Sequence, residues 1–286
     1  MKNRFLILLS FVLIVGRDVV CANTSMVRER ININRDWRYQ IDDPDGVGAA
    51  LHYSRLKPYL LPCANDFIIF GKRYQRPEGN PGENIAYVKS DFDDSEWRHL
   101  NLPHDWAIEG PFNIDYNGST GKLPYWGIRW YRKTLELSQD DAGKQIYLDI
   151  DGAMSYVSVW CNGQYVGGWP YGYASFRLDL TPYIKAGQKN VLAIRLDNPD
   201  DTSRWYPGSG IYRNVWLVKT SPVHVEQWGT FVRNQQVDSE IAVMEMGVNI
   251  ENHAGKDVQV KLQTSVYLQG KDGRPVGEEV AQSMAK

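Results

Sequence analysis

Short runs in which every second residue is apolar recur along this chain at intervals of about ten residues, and Gly, Pro or Asn ends most of them. Alternate side chains are apolar over residues 145–151 and again over 155–161, which predicts strands with one buried face. Asn162-Gly163 follows directly and favours a two-residue hairpin, because both positions tolerate a positive φ. No stretch keeps a helical period over three turns. The pattern therefore predicts an all-β chain built on a jelly-roll β-sandwich.

The strand pattern changes after Lys219, which predicts two domains. Residues 27–219 are expected to form one jelly-roll sandwich, closed by a strand over 211–218. Residues 221–286 contain longer alternating runs and predict part of an immunoglobulin-like sandwich, since a whole domain of that kind needs about 100 residues. We expect this second domain to be cut short and to keep an unpaired edge.

One region of the first domain breaks the rhythm of short strands. Residues 46–83 contain four prolines and little alternation. We interpret them as a long loop or insertion between a first strand over 37–41 and Phe92. A loop of this length in a compact domain is usually functional or mobile.

The N-terminus is typical of an export signal. Two cations precede an apolar run over residues 5–15, which is too short to span a bilayer as a helix but suits the core of a signal peptide. Residues 1–22 are therefore expected to be removed after Ala22, which predicts a periplasmic or extracellular protein. Anchoring through a lipid on Cys21 is the less favoured alternative, because Val20 is a poor residue before a lipidated cysteine.

Charge and cysteine content exclude several classes of partner. The net charge of −2 argues against nucleic acid, and no basic run suggests a membrane surface. Cleavage would leave Cys63 and Cys161, which we expect to be free thiols, although a disulfide between them stays open. No phosphate loop, Ser-His-Asp set or metal-spaced His cluster is present, so no cofactor and no metal are expected.

Three segments carry the most specific signal in the chain. They are LPHDW over residues 102–106, GIRWYRK over 127–133 and SRWYPGSGIYRNV over 203–215. In this order and spacing they resemble the N-terminal sugar-binding domain of the family 2 glycoside hydrolases, the group of β-galactosidases and β-glucuronidases. The resemblance implies a galactose-binding-domain-like jelly roll over about 190 residues. For residues 221–286 the resemblance rests only on the order of the predicted strands and on their sequence pattern.

The resemblance also implies that the third segment reaches into a catalytic barrel and contacts the sugar bound there. In several family members an Asp stands six residues before the glycine that matches Gly210, whereas this chain has Arg204. The guanidinium of Arg204 could donate to vicinal hydroxyls, and Trp205 could stack on a pyranose face. The alternative is that Arg204 pairs with Asp200 or Asp201 and only stiffens the loop.

Asp105 and Asp201 complete the set of predicted substrate-binding residues. In the first of the three segments, His104 and Asp105 are close enough in sequence to orient one another beside Trp106. A structural reading of the same residues is at least as good: Asp105 would cap backbone amides in a turn while Trp106 fills the core.

No catalytic residue is expected in this chain. Retaining glycosidases need two carboxylates about 5 Å apart, and the resemblance implies that the family carries both on its barrel, the acid/base in an Asn-Glu pair. The sequence contains no Asn-Glu pair, and a barrel takes about 250 residues, far more than follow Ser221. We expect the chain to be the N-terminal portion of an exported β-galactosidase-like hydrolase and to be catalytically inactive by itself. The complete hydrolase would act on O-glycosidic bonds of β-linked glycans.

A second hypothesis belongs to a different class of protein. The same jelly roll could be a stand-alone, lectin-like carbohydrate-binding module, and a structural adhesion module is a weaker third option. The sequence leaves open which sugar is bound and whether the chain forms a homo-oligomer.

Overall fold

The computed structural model describes residues 5–10, 28–68, 70–200 and 208–285. The described residues are almost entirely β-strands and turns with one α-helix, so the predicted all-β class is confirmed. Contacts divide the chain into two compact units. One is Glu29–Lys219, and the other joins strand β1 (Phe5–Ser10) to the chain from Thr220 onward.

The first unit is a sandwich of two sheets. The first sheet has six strands, in spatial order β4 (Arg98–Leu100), β3 (Trp37–Ile41), β5 (Gly127–Glu136), β10 (Lys189–Asn198), β7 (Val157–Cys161) and β8 (Gln164–Trp169). The second sheet has four, in the order β2 (Arg28–Asn32), β11 (Val215–Thr220), β6 (Gln145–Ile150) and β9 (Phe176–Asp179).

Alternate residues of the facing strands form the main core between the sheets. Leu192, Ile194 and Leu196 of β10 are completely buried, as their spacing predicts. Burial of each such side chain contributes about 1.5–3 kcal/mol, so this alternation is the main reason for the sandwich. The predicted hairpin is confirmed: Asn162 and Gly163 have φ of 52° and 79° and join the antiparallel strands β7 and β8.

Of the two alternatives for residues 46–83, a long loop or an insertion, the structure shows an insertion with secondary structure of its own. These residues contain helix α1 (Tyr53–Leu60) and several 3₁₀ turns, and Leu51, Leu56 and Leu60 are buried. These side chains pack with Trp160 in a second apolar cluster, on the face of the six-stranded sheet that points away from the main core. The segment, which we call the insertion, gives this sheet a buried face on both sides.

Two fully buried tryptophans form the centre of the second cluster. The rings of Trp130 on β5 and Trp160 on β7 stack with centroids 5.4 Å apart. The indole N–H of Trp160 donates to the carbonyl of Pro81 at 2.7 Å, and that of Trp130 donates to Oδ1 of Asp43 at 2.8 Å. Both polar ends of the pair are thereby satisfied, as buried indoles require.

Buried ion pairs also stabilise the face of the six-stranded sheet that carries the second apolar cluster. Arg195 of β10, of whose side chain 3% is exposed, donates from Nε and Nη2 to the two carboxylate oxygens of Asp43, each at 2.8 Å. The side chain of Arg132 on β5 is 2% exposed, pairs with Asp94 at 2.8 Å and donates to the carbonyl of Tyr87.

The second unit is built from long strands. β12 (Val223–Val237) pairs antiparallel with β13 (Ala242–Asn252), whose other edge pairs with β1. β14 (Leu262–Gln269) and β15 (Pro275–Ala285) form a separate antiparallel pair. The sequence pattern predicts β12, β13 and β14 but gives no signal for β15.

The expected free thiols are confirmed for the two cysteines that the structure describes. Burial raises the pKa of Cys161 to about 12, so this thiol is unreactive near neutral pH. The predicted cleavage site after Ala22 lies outside the described residues. Within the part of the chain that the structure describes, no helix is long and apolar enough to cross a membrane.

Candidate functional site

Residues 208–212 bring several loops together at one place in the first unit. The backbone N–H of His104 donates to the carbonyl of Ile211 at 2.9 Å, and that of Trp106 donates to the carbonyl of Ser209 at 3.1 Å. Gly210 and Met154 exchange two backbone hydrogen bonds of 3.0 and 2.9 Å. We call this meeting point the rim; it unites two of the three segments singled out in the sequence.

Gly210 is the closest contact in the rim. Its φ is 105°, a conformation that side chains disfavour. A Cβ atom at this position would lie 2.5 Å from the carbonyl oxygen of His104 and 2.7 Å from the hydroxyl oxygen of Tyr131. Both the backbone conformation and the close approach therefore require glycine.

The flanks of residues 201–207 are held by a buried hydrogen-bond network. The side-chain amide of Asn198 donates to the carbonyl of Tyr125 at 2.9 Å and to that of Gly208 at 3.2 Å. The hydroxyl of Ser209 donates to the same Tyr125 carbonyl at 2.6 Å, and the Tyr125 hydroxyl donates to Oδ1 of Asp200 at 2.5 Å. Neither the Asn198 nor the Tyr125 contact was anticipated from the sequence, because both join residues distant along the chain.

Three of the four predicted binding residues, Asp201, Arg204 and Trp205, lie outside the described residues, and their roles stay predictions. The fourth, Asp105, is in the rim. Its Oδ1 accepts a hydrogen bond from the backbone N–H of Ala107 at 2.9 Å and so caps the 3₁₀ turn Ala107–Glu109. Trp106 is 4% exposed in the main core. These contacts are the ones that the structural alternative predicts, and the role of Asp105 in substrate binding stays a prediction.

The partners of His104 differ from the sequence expectation that Asp105 orients it. Nδ1 of His104 lies 2.8 Å from the hydroxyl of Tyr131, and Nε2 lies 3.3 Å from Oε1 of Glu109. Glu109 in turn accepts two hydrogen bonds from Arg98, at 2.6 and 2.7 Å. The sequence carries no signal for Glu109 or Arg98, because the intervening turn decides where their side chains meet.

Burial and charge fix the protonation states along this chain of contacts. Burial lowers the pKa of His104, and the hydrogen bond from Arg98 lowers the pKa of Glu109. Burial also raises the pKa of Tyr131 well above its usual value. Near neutral pH the Tyr131 hydroxyl therefore donates to Nδ1 of a neutral His104, and its Nε2–H donates to the Glu109 carboxylate. This chain of hydrogen bonds orients the side chains of the rim.

Acidification is expected to destabilise the protein through His104. Its pKa in the folded state lies below its unfolded value of about 6.5, so the unfolded chain binds the proton more tightly. The contribution is fully present above that unfolded pKa and is lost as the pH falls through it towards the folded pKa. Denaturant unfolding at about pH 7.5 and about pH 5 measures this effect. Between these two pH values, the free energy of unfolding should fall less for His104→Gln than for the parent chain. An equal loss in both proteins, or the same effect from the exposed His99→Gln, would exclude His104 as the source.

Exposed aromatic and apolar side chains surround the rim. Tyr171 and Tyr173 are 59% and 38% exposed, and the hydroxyl of Tyr212 ties their loop to the rim through the carbonyl of Gly172 at 2.7 Å. Phe112 is 76% exposed on the loop that follows the Asp105 turn. Such groups suit contact with a sugar face or with another protein surface. In the described part of the chain, no group of three or more His, Cys, Asp or Glu residues could hold a metal ion.

Comparison with known proteins agrees with this geometry. Residues 86–221, which contain most of the rim, match the model described as glycosyl hydrolases family 2, sugar binding domain. The β-galactosidase BoGH2A of Bacteroides ovatus is 40% identical over 263 residues, which cover 90% of this chain and 26% of that protein. A β-glucuronidase of Formosa agariphila is 26% identical over 198 residues, covering 61% of this chain and 20% of that protein.

A solved structure shows the same fold. The crystal structure of a β-glycosidase from Bacteroides vulgatus superimposes with a TM-score of 0.65 at 30% identity, over 90% of this chain and 27% of that one. Fold and family match together define a β-sandwich sugar-binding domain in the first unit. The chain belongs to the family 2 glycoside hydrolases, and it spans about a quarter of the length of the relatives that it matches.

Proposed function

We propose that this chain is the N-terminal portion of an exported β-galactosidase-like hydrolase and that its rim helps to enclose the glycan. The observation that supports this best is the network of buried hydrogen bonds by which Asn198, Ser209 and Tyr125 join the chain on either side of residues 201–207. Flanks that are fixed in this way suit a segment that positions a substrate.

Each predicted residue has a specific role in this proposal. The guanidinium of Arg204 donates to vicinal hydroxyls, and the indole of Trp205 stacks on the C–H face of a pyranose. The carboxylates of Asp201 and Asp105 accept hydrogen bonds from sugar hydroxyls.

Hydrolysis itself is assigned to another portion of the protein. Glycoside cleavage needs two carboxylates at a defined separation, one of them with a raised pKa. The acids of the rim have other tasks: Glu109 is paired with Arg98, which lowers its pKa, and Asp105 caps a turn. We therefore expect the purified chain to show no turnover of aryl β-galactosides or aryl β-glucuronides; robust turnover would contradict the proposal.

The role of the loop is tested in the longer protein that contains this chain. Trp205→Ala and Arg204→Ala should each raise KM for an aryl β-galactoside about tenfold, the effect of one lost stacking contact or charged hydrogen bond. Arg274→Ala is the matched control, because the Arg274 side chain is 85% exposed in the second unit. Unchanged KM in both loop variants would remove the loop from the substrate site.

Export is the part of the proposal that rests on the N-terminal residues alone. Two cations and the apolar run over residues 5–15 have the order of a signal peptide. The mass of the mature protein in the periplasm or medium should correspond to a chain that begins at Asn23.

A further inference from the structure

A cleft of about 500 Å³ adjoins the rim. It opens where strands β3, β4 and β5 meet the chain around Gly110, next to Trp106. Its volume is in the range of small-molecule sites.

The walls of the cleft combine apolar surface with fixed polar groups. Ile41, Trp106, Pro111 and Pro124 supply the apolar part, and Ile41 is 52% exposed. Gln40 adds an amide beside them. Sugars present C–H faces and hydroxyl edges at once, so a mixed lining of this kind matches them better than it matches a purely apolar ligand.

The charges that line the cleft are balanced. Arg98 is already neutralised by Glu109, through two hydrogen bonds of 2.6 and 2.7 Å. Arg129 lies 3.5 Å from a carboxylate oxygen of Asp42, and Glu96 adds an exposed carboxylate. A phosphate or a uronate would find no unpaired guanidinium and no net positive charge in the cleft. The balance favours a neutral, hydroxyl-rich ligand.

The polar groups of the cleft are also held in place before any ligand arrives. Glu109 is fixed by Arg98 and His104, and the guanidinium of Arg129 lies 5.1 Å from the ring centroid of Trp106 while donating to the carbonyl of Ile128 at 2.7 Å. Groups that are ordered in advance lose little conformational entropy on binding.

Two buried donors in the walls are unsatisfied. The indole N–H of Trp106 and the Nε–H of Arg129 have no hydrogen-bond acceptor among the residues that the structure describes. Buried polar groups are almost always hydrogen-bonded. A sugar hydroxyl, directly or through one bridging water, would give them the acceptor that the protein does not provide.

From the cleft, its balanced charge and these two donors, we propose that it binds a neutral sugar unit of a β-linked glycan. The Glu96 carboxylate accepts hydrogen bonds from adjacent hydroxyls, and the apolar wall contacts the C–H face. The choice of a sugar rests on the proposed function, whereas the preference for a neutral one rests on the charges of the cleft.

The test is calorimetric titration of the full chain with methyl β-D-galactopyranoside and with methyl β-D-glucuronide. The neutral glycoside should bind saturably and about tenfold more tightly than the glucuronide, which Glu96 repels. Glu96→Gln should lower the affinity for the neutral glycoside about tenfold, the effect of one lost charged hydrogen bond. It should also reduce the difference in affinity between the neutral glycoside and the glucuronide.

Two control variants locate the binding. Glu136→Gln removes a carboxylate that is 77% exposed, on the same strand as Arg129 but about 23 Å further along at 3.3 Å per residue. Arg274→Ala removes a guanidinium that is 85% exposed in the second unit. Neither should change the affinity.

Three results would overturn the proposal: no saturable binding of the galactoside, equal or tighter binding of the glucuronide, or an affinity that Glu96→Gln leaves unchanged. Because Glu96 is exposed, this variant is expected to fold normally. None of these results would touch the proposed function, which is tested by KM in the longer protein with variants at residues 204 and 205.

Discussion

Replacing Gly210 with alanine is expected to lower the free energy of unfolding by about 3 kcal/mol or more, because two separate penalties add. The positive φ of 105° disfavours a side chain, and the new Cβ would collide with the carbonyl oxygen of His104 and the hydroxyl of Tyr131. The collision cannot be relieved by a rotamer change, since the first partner is backbone. Denaturant unfolding of the purified variant measures the effect.

Gly143→Ala is the matched control for that substitution. Gly143 has a φ of 79°, but a Cβ there would meet no atom within 4 Å. Its cost should be about 1 kcal/mol, from the backbone conformation alone. If the two variants lose the same stability, the close packing of the rim around Gly210 contributes nothing.

Removing Asp43 is the second change with a large expected effect. Asp43→Ala should cost about 3–5 kcal/mol, because it leaves the guanidinium of Arg195 buried without its bidentate partner and takes the acceptor from the Trp130 indole. The contacts that Arg195 would keep are longer: 3.3 Å to a carboxylate oxygen of Asp197 and 3.4 Å to the carbonyl of Leu51.

A double substitution separates the ion pair from simple packing. Adding Arg195→Met to Asp43→Ala removes the stranded charge, so the double variant should be more stable than Asp43→Ala alone. Stability that falls further in the double variant would mean that the Arg195 side chain contributes by packing and that the pair itself is weak.

The local signals of the sequence were sufficient for the first sandwich. The alternation of apolar residues predicted that Leu192, Ile194 and Leu196 point into the core, and Asn162-Gly163 predicted a hairpin. Both predictions were possible because the face to which a strand residue points and the geometry of a tight turn depend on neighbouring residues. The order of the three segments was also enough to predict the family.

The insertion shows where such reasoning fails. Helix α1 is short and contains Pro58, and its buried residues do not form a long periodic stripe. Leu56 and Leu60 are buried because they pack in the cluster that contains Trp160, about a hundred residues further along the chain. A contact of that separation leaves no trace in a local window.

The contacts of the candidate site also include some that the sequence predicts and others that it does not. The residue type and position of Asp105 were enough to predict that it could cap a turn. The contacts from Arg98 through Glu109 and His104 to Tyr131 were not, since they run between two strands and a 3₁₀ turn. The Asn198 and Tyr125 network likewise depends on how β10 ends beside the chain before β5.

The stacked indoles of Trp130 and Trp160 have one more consequence. Two identical chromophores 5.4 Å apart, inclined by 30° and shielded from water, share their excited states and split their absorption into a paired circular-dichroism band. Because Trp160 also donates a hydrogen bond to the carbonyl of Pro81, a change in how the insertion packs on the sheet should change that band. Circular dichroism in the near ultraviolet therefore reports on the packing of the insertion.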